Sequence, residues 1–190
     1  MTLLDGSLDL DGHFIPGKST LVVCSDDKDT LKFIAAVVNS PFASFYIKQK
    51  YASSSYNGGV NFTTDMIDSI PIPVKIDRKA IITNVDQILH ARQHCMSITY
   101  QLHKLIRSSG GPVKLTKKLH TWFLMSGSDF ITELKKLGVS LSVAERAEWT
   151  DILEQKRAAI QTHLDSARQA EADINEAMNN ALGIGVIPST

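Results

Sequence analysis

His90 and His94 stand one helical turn apart, with Cys95 beside them. On a helix this i, i+4 spacing points two imidazoles at one metal ion. The neighbouring sequence offers no third or fourth ligand, and a polar helix face explains two histidines equally well, so no metal is expected. Cys24 ends the run Ser19-Thr-Leu-Val-Val-Cys24, which reads as a short strand with a buried thiol rather than a nucleophile. The chain lacks a Walker-type loop, a GxGxxG after a strand and an HExxH pair. Its six prolines never occur in tandem, so the Asp/Asn-Pro-Pro-aromatic tetrad of amino-methyltransferases is missing too. Gly183-Ile184-Gly185 follows a helical stretch and reads as a C-cap. No catalytic residue is expected on this chain.

The residues that remain suit binding rather than bond-making. Lys48, Lys50, Tyr51, Ser53, Ser54, Tyr56 and Asn57 bring cations, hydroxyls, an amide and aromatic rings into ten positions. Reading a DNA sequence needs that mixture: cations hold phosphates, while amides and hydroxyls reach base edges. An ordinary surface loop whose tyrosines cover the core has the same composition. Lys75, Arg78 and Lys79 cluster where an extended segment turns into a helix, and Lys114, Lys117 and Lys118 follow further on. All six suit phosphate contact or plain solvation.

The 190 residues carry 20 basic and 20 acidic side chains, and this zero balance argues at first against nucleic acid. The charge is unevenly spread, however. Residues 1–31 hold six acids against two lysines, and residues 151–190 are also net acidic. Between Asp86 and Asp129 there is no acid, while Arg92, Lys104, Arg107, Lys114, Lys117, Lys118 and four histidines fall in that interval. Such asymmetry fits a polyanion-facing surface, although a solvated helix face produces it as well. Two cysteines fit a reducing, cytoplasmic setting. The longest apolar run, Phe33 to Val38, is far too short to span a bilayer, so no membrane partner is expected.

These side chains need positioning elements. Leu31, Ile34 and Val38 share one face of a helix that the acids Asp26, Asp27 and Asp29 favour at its start. Asn39-Ser40-Pro41 breaks it, and a second helix follows with Phe42, Phe45 and Tyr46 inward. A polar loop from Tyr51 to Thr64 turns at Gly58-Gly59 and enters a strand at Val60–Thr63. Ile70, Ile72 and Val74 alternate with Pro71 and Pro73, which predicts an extended sheet edge. A long amphipathic helix is predicted over 77–106, with Ile81, Val85, Ile88, Arg92, Cys95, Thr99, Leu102 and Ile106 in one stripe. After Arg107-Ser-Ser-Gly-Gly-Pro112 everything reads as helical. Ser126 or Ser128 caps a helix that stops at Gly138, and Ser142 with Glu145 forms a capping box. From there to Gly183 the pattern fits one very long helix or two in a hairpin, with Trp149, Leu153, Ile160, Leu164, Ile174, Met178 and Leu182 inward. The expected class is α+β: a small mixed sheet with flanking helices, then a long-helix bundle or hairpin. The expected organisation is an α+β region over 1–76, a connecting helix over 77–106 and a helical region over 113–190.

In order, FIAAVVNSPFASFYIKQKY, a polar Gly-containing loop, FTTDMIDSIPIPVKI and the helix IITNVDQILHAR resemble the target-recognition domains of restriction–modification proteins. The similarity is greatest to the C-terminal specificity domain of Taq-type adenine-N6 DNA methyltransferases and fused type IIG restriction-methyltransferases. Type I specificity subunits share the IPIP-then-helix element. The helical tail, FITELKKLGVSLSVAERAEWTDILEQKRAAI and then EADINEAMNNALGI, looks like the end of such proteins. It carries Asn180-Ala181-Leu182-Gly183 where they usually show an aromatic "LYGL". The resemblance implies a bacterial or archaeal module that reads double-stranded DNA beside an N-terminal methyltransferase domain or subunit, with or without an endonuclease. S-adenosylmethionine would then sit on that catalytic part, with no cofactor on this chain. The alternative expectation is a helical interaction or dimerisation module with no DNA contact.

Overall fold

The computed structural model describes residues 4–18, 20–51, 55–56, 59–60, 62–111 and 115–185, with the backbone alone at 55–56 and 59–60. Its helices are α1 (Lys28–Val38), α2 (Pro41–Lys50), α3 (Thr64–Asp68), α4 (Arg78–Ser108), α5 (Gly127–Lys136) and α6 (Val143–Leu182), with a 3-10 segment at Lys117–Leu124. Strands β1 (Ser55–Tyr56) and β2 (Gly59–Val60) form a two-residue antiparallel ladder pairing Ser55 with Val60 and Tyr56 with Gly59.

The described residues are mainly helical, and among them the expected mixed sheet is not formed. Residues 20–24 and 71–76 belong to no strand, and Phe62 and Thr63 lead directly into α3. A β-branched run becomes a strand only where another strand accepts its backbone bonds, whereas a helix satisfies its own. Pro71 and Pro73 also remove the donors a ladder needs. Three finer expectations change with this. Cys24 is exposed rather than buried. Ile72 and Val74 face solvent, and Phe45 points outward while Phe42 is buried.

The chain divides into two compact units, Met1–Gln87 with Gln169–Thr190, and Ile88–Arg168. In the first unit Asp27 caps α1 by accepting from the Asp29 and Thr30 amides. Ser40 ends one helix and starts the next: its hydroxyl donates to the Val37 carbonyl at 2.7 Å and accepts from the Ala43 amide at 3.2 Å. The two helix axes meet there at 61°. Asn39 holds the N-terminal segment to this corner. Its Oδ1 accepts from the Gly6 amide at 2.7 Å, and its Nδ2 donates to the Gly6 carbonyl at 2.9 Å. Lys32 reaches Asp86 at 2.8 Å, tying α1 to α4, and that carboxylate raises the Lys32 pKa. Phe33, Val37, Phe42, Ile47, Ile81, Val85, Ile174 and Met178 are among the buried residues of this unit.

The second unit is built on a continuous core of Leu102, Ile106, Leu119, Trp122, Phe130, Leu134, Val139, Trp149, Leu153 and Ile160. In α4 the buried stripe runs Ala91, Leu102, Ile106 with Cys95 and Thr99 half-buried, so Ala91 occupies the place expected for Arg92, which is exposed. The expected capping box forms: Glu145 accepts from the Ser142 amide at 2.7 Å, and the Ser142 hydroxyl from the Glu145 amide at 3.3 Å. From there α6 continues as one 40-residue helix, without the hairpin.

Candidate nucleic-acid interface

The residues expected to touch DNA fall on three stretches. At the C-terminal end of α2, Lys48 and Lys50 are exposed. Lys50 Nζ donates to the Tyr46 hydroxyl at 2.9 Å and lies 5.2 Å and 5.5 Å from the Tyr46 and Tyr51 ring centroids. The hydrogen bond lowers the Tyr46 pKa and raises that of Lys50. Tyr51 is engaged within the fold: its hydroxyl donates to Ser69 Oγ at 3.1 Å, and Ser69 donates to the Met66 carbonyl. This pair fastens the start of the polar loop to α3. Ser53, Ser54 and Asn57 lie outside the described residues, as does the Tyr56 side chain.

At the start of α4, Lys75 and Lys79 are exposed. Arg78 has a structural engagement instead. Its Nη2 donates to Thr30 Oγ1 at 2.5 Å, lies 3.9 Å from the Asp27 carboxylate, and its guanidinium sits 5.0 Å from the Phe33 ring centroid. A guanidinium stacked on an aromatic face and held by an N-cap carboxylate locks two helix starts together.

The third stretch lies wholly within the second unit. The acid-free interval folds into the C-terminal part of α4 and the 3-10 segment, and hydrogen bonds between described residues join the two. Trp122 Nε1 donates to Thr99 Oγ1 at 3.3 Å, and His103 Nε2 lies 3.2 Å from the Leu119 carbonyl. That carbonyl accepts only, so Nε2 carries the proton. Burial lowers the His103 pKa, and the charges of His120 and Arg107 lower it further against the Leu119 bond. The His103 and His120 rings meet edge to face at 5.6 Å. Lys104, Arg107, Lys117, Lys118 and His120 are exposed around this junction. Lys118 also acts on Glu133, whose pKa is lowered chiefly by its hydrogen bond to Lys136. Lys114 lies outside the described residues.

Sequence spacing missed one neighbour. His94 Nε2 lies 3.0 Å from His90 Nε2, as the i, i+4 spacing requires, and His163 of α6 stacks on His94 with ring centroids 4.7 Å apart and planes 8° from parallel. Its place one residue before Leu164, on the inward stripe of α6, was the available signal. In the first unit, a cavity of about 800 Å³ lies between the N-terminal segment and the Leu31, Ile34, Ala35 and Val38 face of α1.

A family model described as a domain of unknown function (DUF8810) matches residues 74–178. That is more than half of the chain. The chain belongs to the DUF8810 family. The match begins four residues before α4 and ends within the last turns of α6, so it takes in the whole second unit. No curated protein matches the chain, and no solved structure does. Among the described residues, no single helix is long and apolar enough to cross a membrane.

Proposed function

We propose that this DUF8810 chain is a DNA target-recognition module, non-catalytic by itself, that works with an adenine-N6 methyltransferase domain or subunit. The observation that carries the reading is the acid-free interval. Its exposed cations are gathered at the junction of α4 and the 3-10 segment, and residues 87–128 contribute no acid there. The ordered resemblance of residues 33–92 to specificity domains points the same way. A methyltransferase flips out one base and sees little else, so sequence choice passes to a second module. Neutral overall charge is compatible with this, because the catalytic part shares phosphate neutralisation. S-adenosylmethionine belongs to that part.

Fluorescence anisotropy on a labelled duplex across a salt series tests the reading. Log affinity should fall linearly with log salt, by about 0.9 for each phosphate neutralised. Changing Lys114, Lys117 and Lys118 together to Glu should abolish binding while leaving helicity intact. Binding that ignores both salt and these substitutions would overturn the proposal.

One observation favours a second reading, a helical self-association module. Met96 and Tyr100 are one turn apart on α4 and largely exposed, at 72% and 67%. Sedimentation distinguishes the two: salt-insensitive dimerisation lost in Tyr100→Glu, with no DNA shift, supports association.

A further inference from the structure

We propose that His90 and His94 form a chelating site for a borderline divalent cation of the zinc class, with His163 holding the His94 ring in its ligating orientation. The Nε2 atoms are 3.0 Å apart. Two imidazole nitrogens at the usual Zn–N distance are about 3.3 Å apart across a tetrahedral angle and about 2.9 Å apart across a right angle. The observed separation therefore places the pair in chelating range with little adjustment. Both histidines are exposed on α4, which leaves the remaining coordination positions open to water.

The ligand set is restricted to nitrogen. Among the described residues no group of three His, Cys, Asp or Glu converges on a common point. Cys95 is adjacent in sequence but half-buried, packed against the core of the second unit rather than beside the exposed imidazoles. His163 is half-buried and parallel to His94 at 4.7 Å, too flat against it to share the ion. What it does is limit the His94 ring to one plane.

Isothermal titration of the full chain with zinc chloride, with magnesium chloride as control, tests the site. One zinc ion per chain should bind at micromolar affinity at pH 7.5, and magnesium should not bind. His90→Ala and His94→Ala should each weaken zinc binding tenfold or more, whereas His103→Ala and His120→Ala should leave it unchanged. His163→Ala should weaken it several-fold, and His163→Phe, which restores a flat ring, should recover it. Circular dichroism of each variant confirms that α4 is intact. Zinc affinity unchanged by both His90→Ala and His94→Ala, or absent at millimolar zinc, overturns the site. Equal affinity in His163→Ala and wild type overturns the positioning role.

Discussion

Trp122 Nε1 donates to Thr99 Oγ1 across 3.3 Å, and this bond pins the 3-10 segment to the middle of α4. The indole is fully buried, with Leu102, Leu119 and Phe130 in the same core. A buried indole N–H without a partner carries a desolvation penalty, so Thr99 supplies the acceptor that Trp122 needs. Thr99→Val should cost about 1 kcal/mol through the orphaned donor. Trp122→Ala should cost about 3–5 kcal/mol through lost burial and the cavity left behind. Urea unfolding monitored by circular dichroism measures both, and equal losses would show that the hydrogen bond, not the packing, dominates.

Two glycines near helix ends should respond to substitution for different reasons. Gly138 sits at φ +83° with open space where a methyl group would project, and its amide bonds to the Lys135 carbonyl while Val139 bonds back to Leu134. Only its left-handed backbone resists a side chain, so Gly138→Ala should cost about 1–2 kcal/mol and Gly138→Asn less. At Gly111 a Cβ would lie 2.7 Å from the Ile106 carbonyl oxygen. Gly111→Ala and Gly111→Asn should therefore be equally damaging in thermal denaturation.

The features legible in sequence are those closed within a few residues. Ser142 and Glu145, Gly138, and the length of α4 each follow from local backbone chemistry, and the structure shows each of them. Leu21 to Cys24 and Ile70 to Val74 form no strand, because strand-like side chains do not by themselves specify a partner backbone. Arg78 is equally opaque in sequence: nothing in its neighbours announces that Phe33 and Asp27 will receive it. The same limit hides His163, whose relation to His94 exists only once α4 and α6 pack within the second unit. The basic interval is visible as composition, but its gathering around His103 and His120 needs the fold.

Glu133 should make the second unit sensitive to acid. Its carboxylate is buried, accepting from Lys136 Nζ at 2.6 Å and from Thr116 Oγ1 at 3.4 Å. The Lys136 bond leads in lowering its pKa from the ordinary 4.5. A depressed folded-state pKa stabilises the fold above the unfolded value and loses that contribution as pH falls through the folded one. Stability should therefore decline below about pH 4.5, and Glu133→Gln should flatten that part of the profile while lowering stability at neutral pH. A profile unchanged by the substitution would assign the acid sensitivity elsewhere.

His103 should give a second, higher window with the same sign. Burial leads in depressing its pKa below 6.5, and the neighbouring His120 and Arg107 charges add to it, while the bond to the Leu119 carbonyl opposes them. At pH between the folded and unfolded values the unfolded chain holds more protons, so stability rises with pH across that window. The contribution is complete above about pH 6.5 and is lost as pH falls through the folded-state pKa. Removing a neighbouring charge should narrow the window: in His120→Gln the His103 pKa should move up, read from its imidazole proton shifts by NMR. His103→Gln should remove the dependence while its side-chain amide keeps a donor for Leu119. If duplex phosphates draw close to this junction they should raise the His103 pKa, because a nearby anion favours the imidazolium. A titration of His103 that is identical with and without duplex would place the DNA away from the α4 and 3-10 junction.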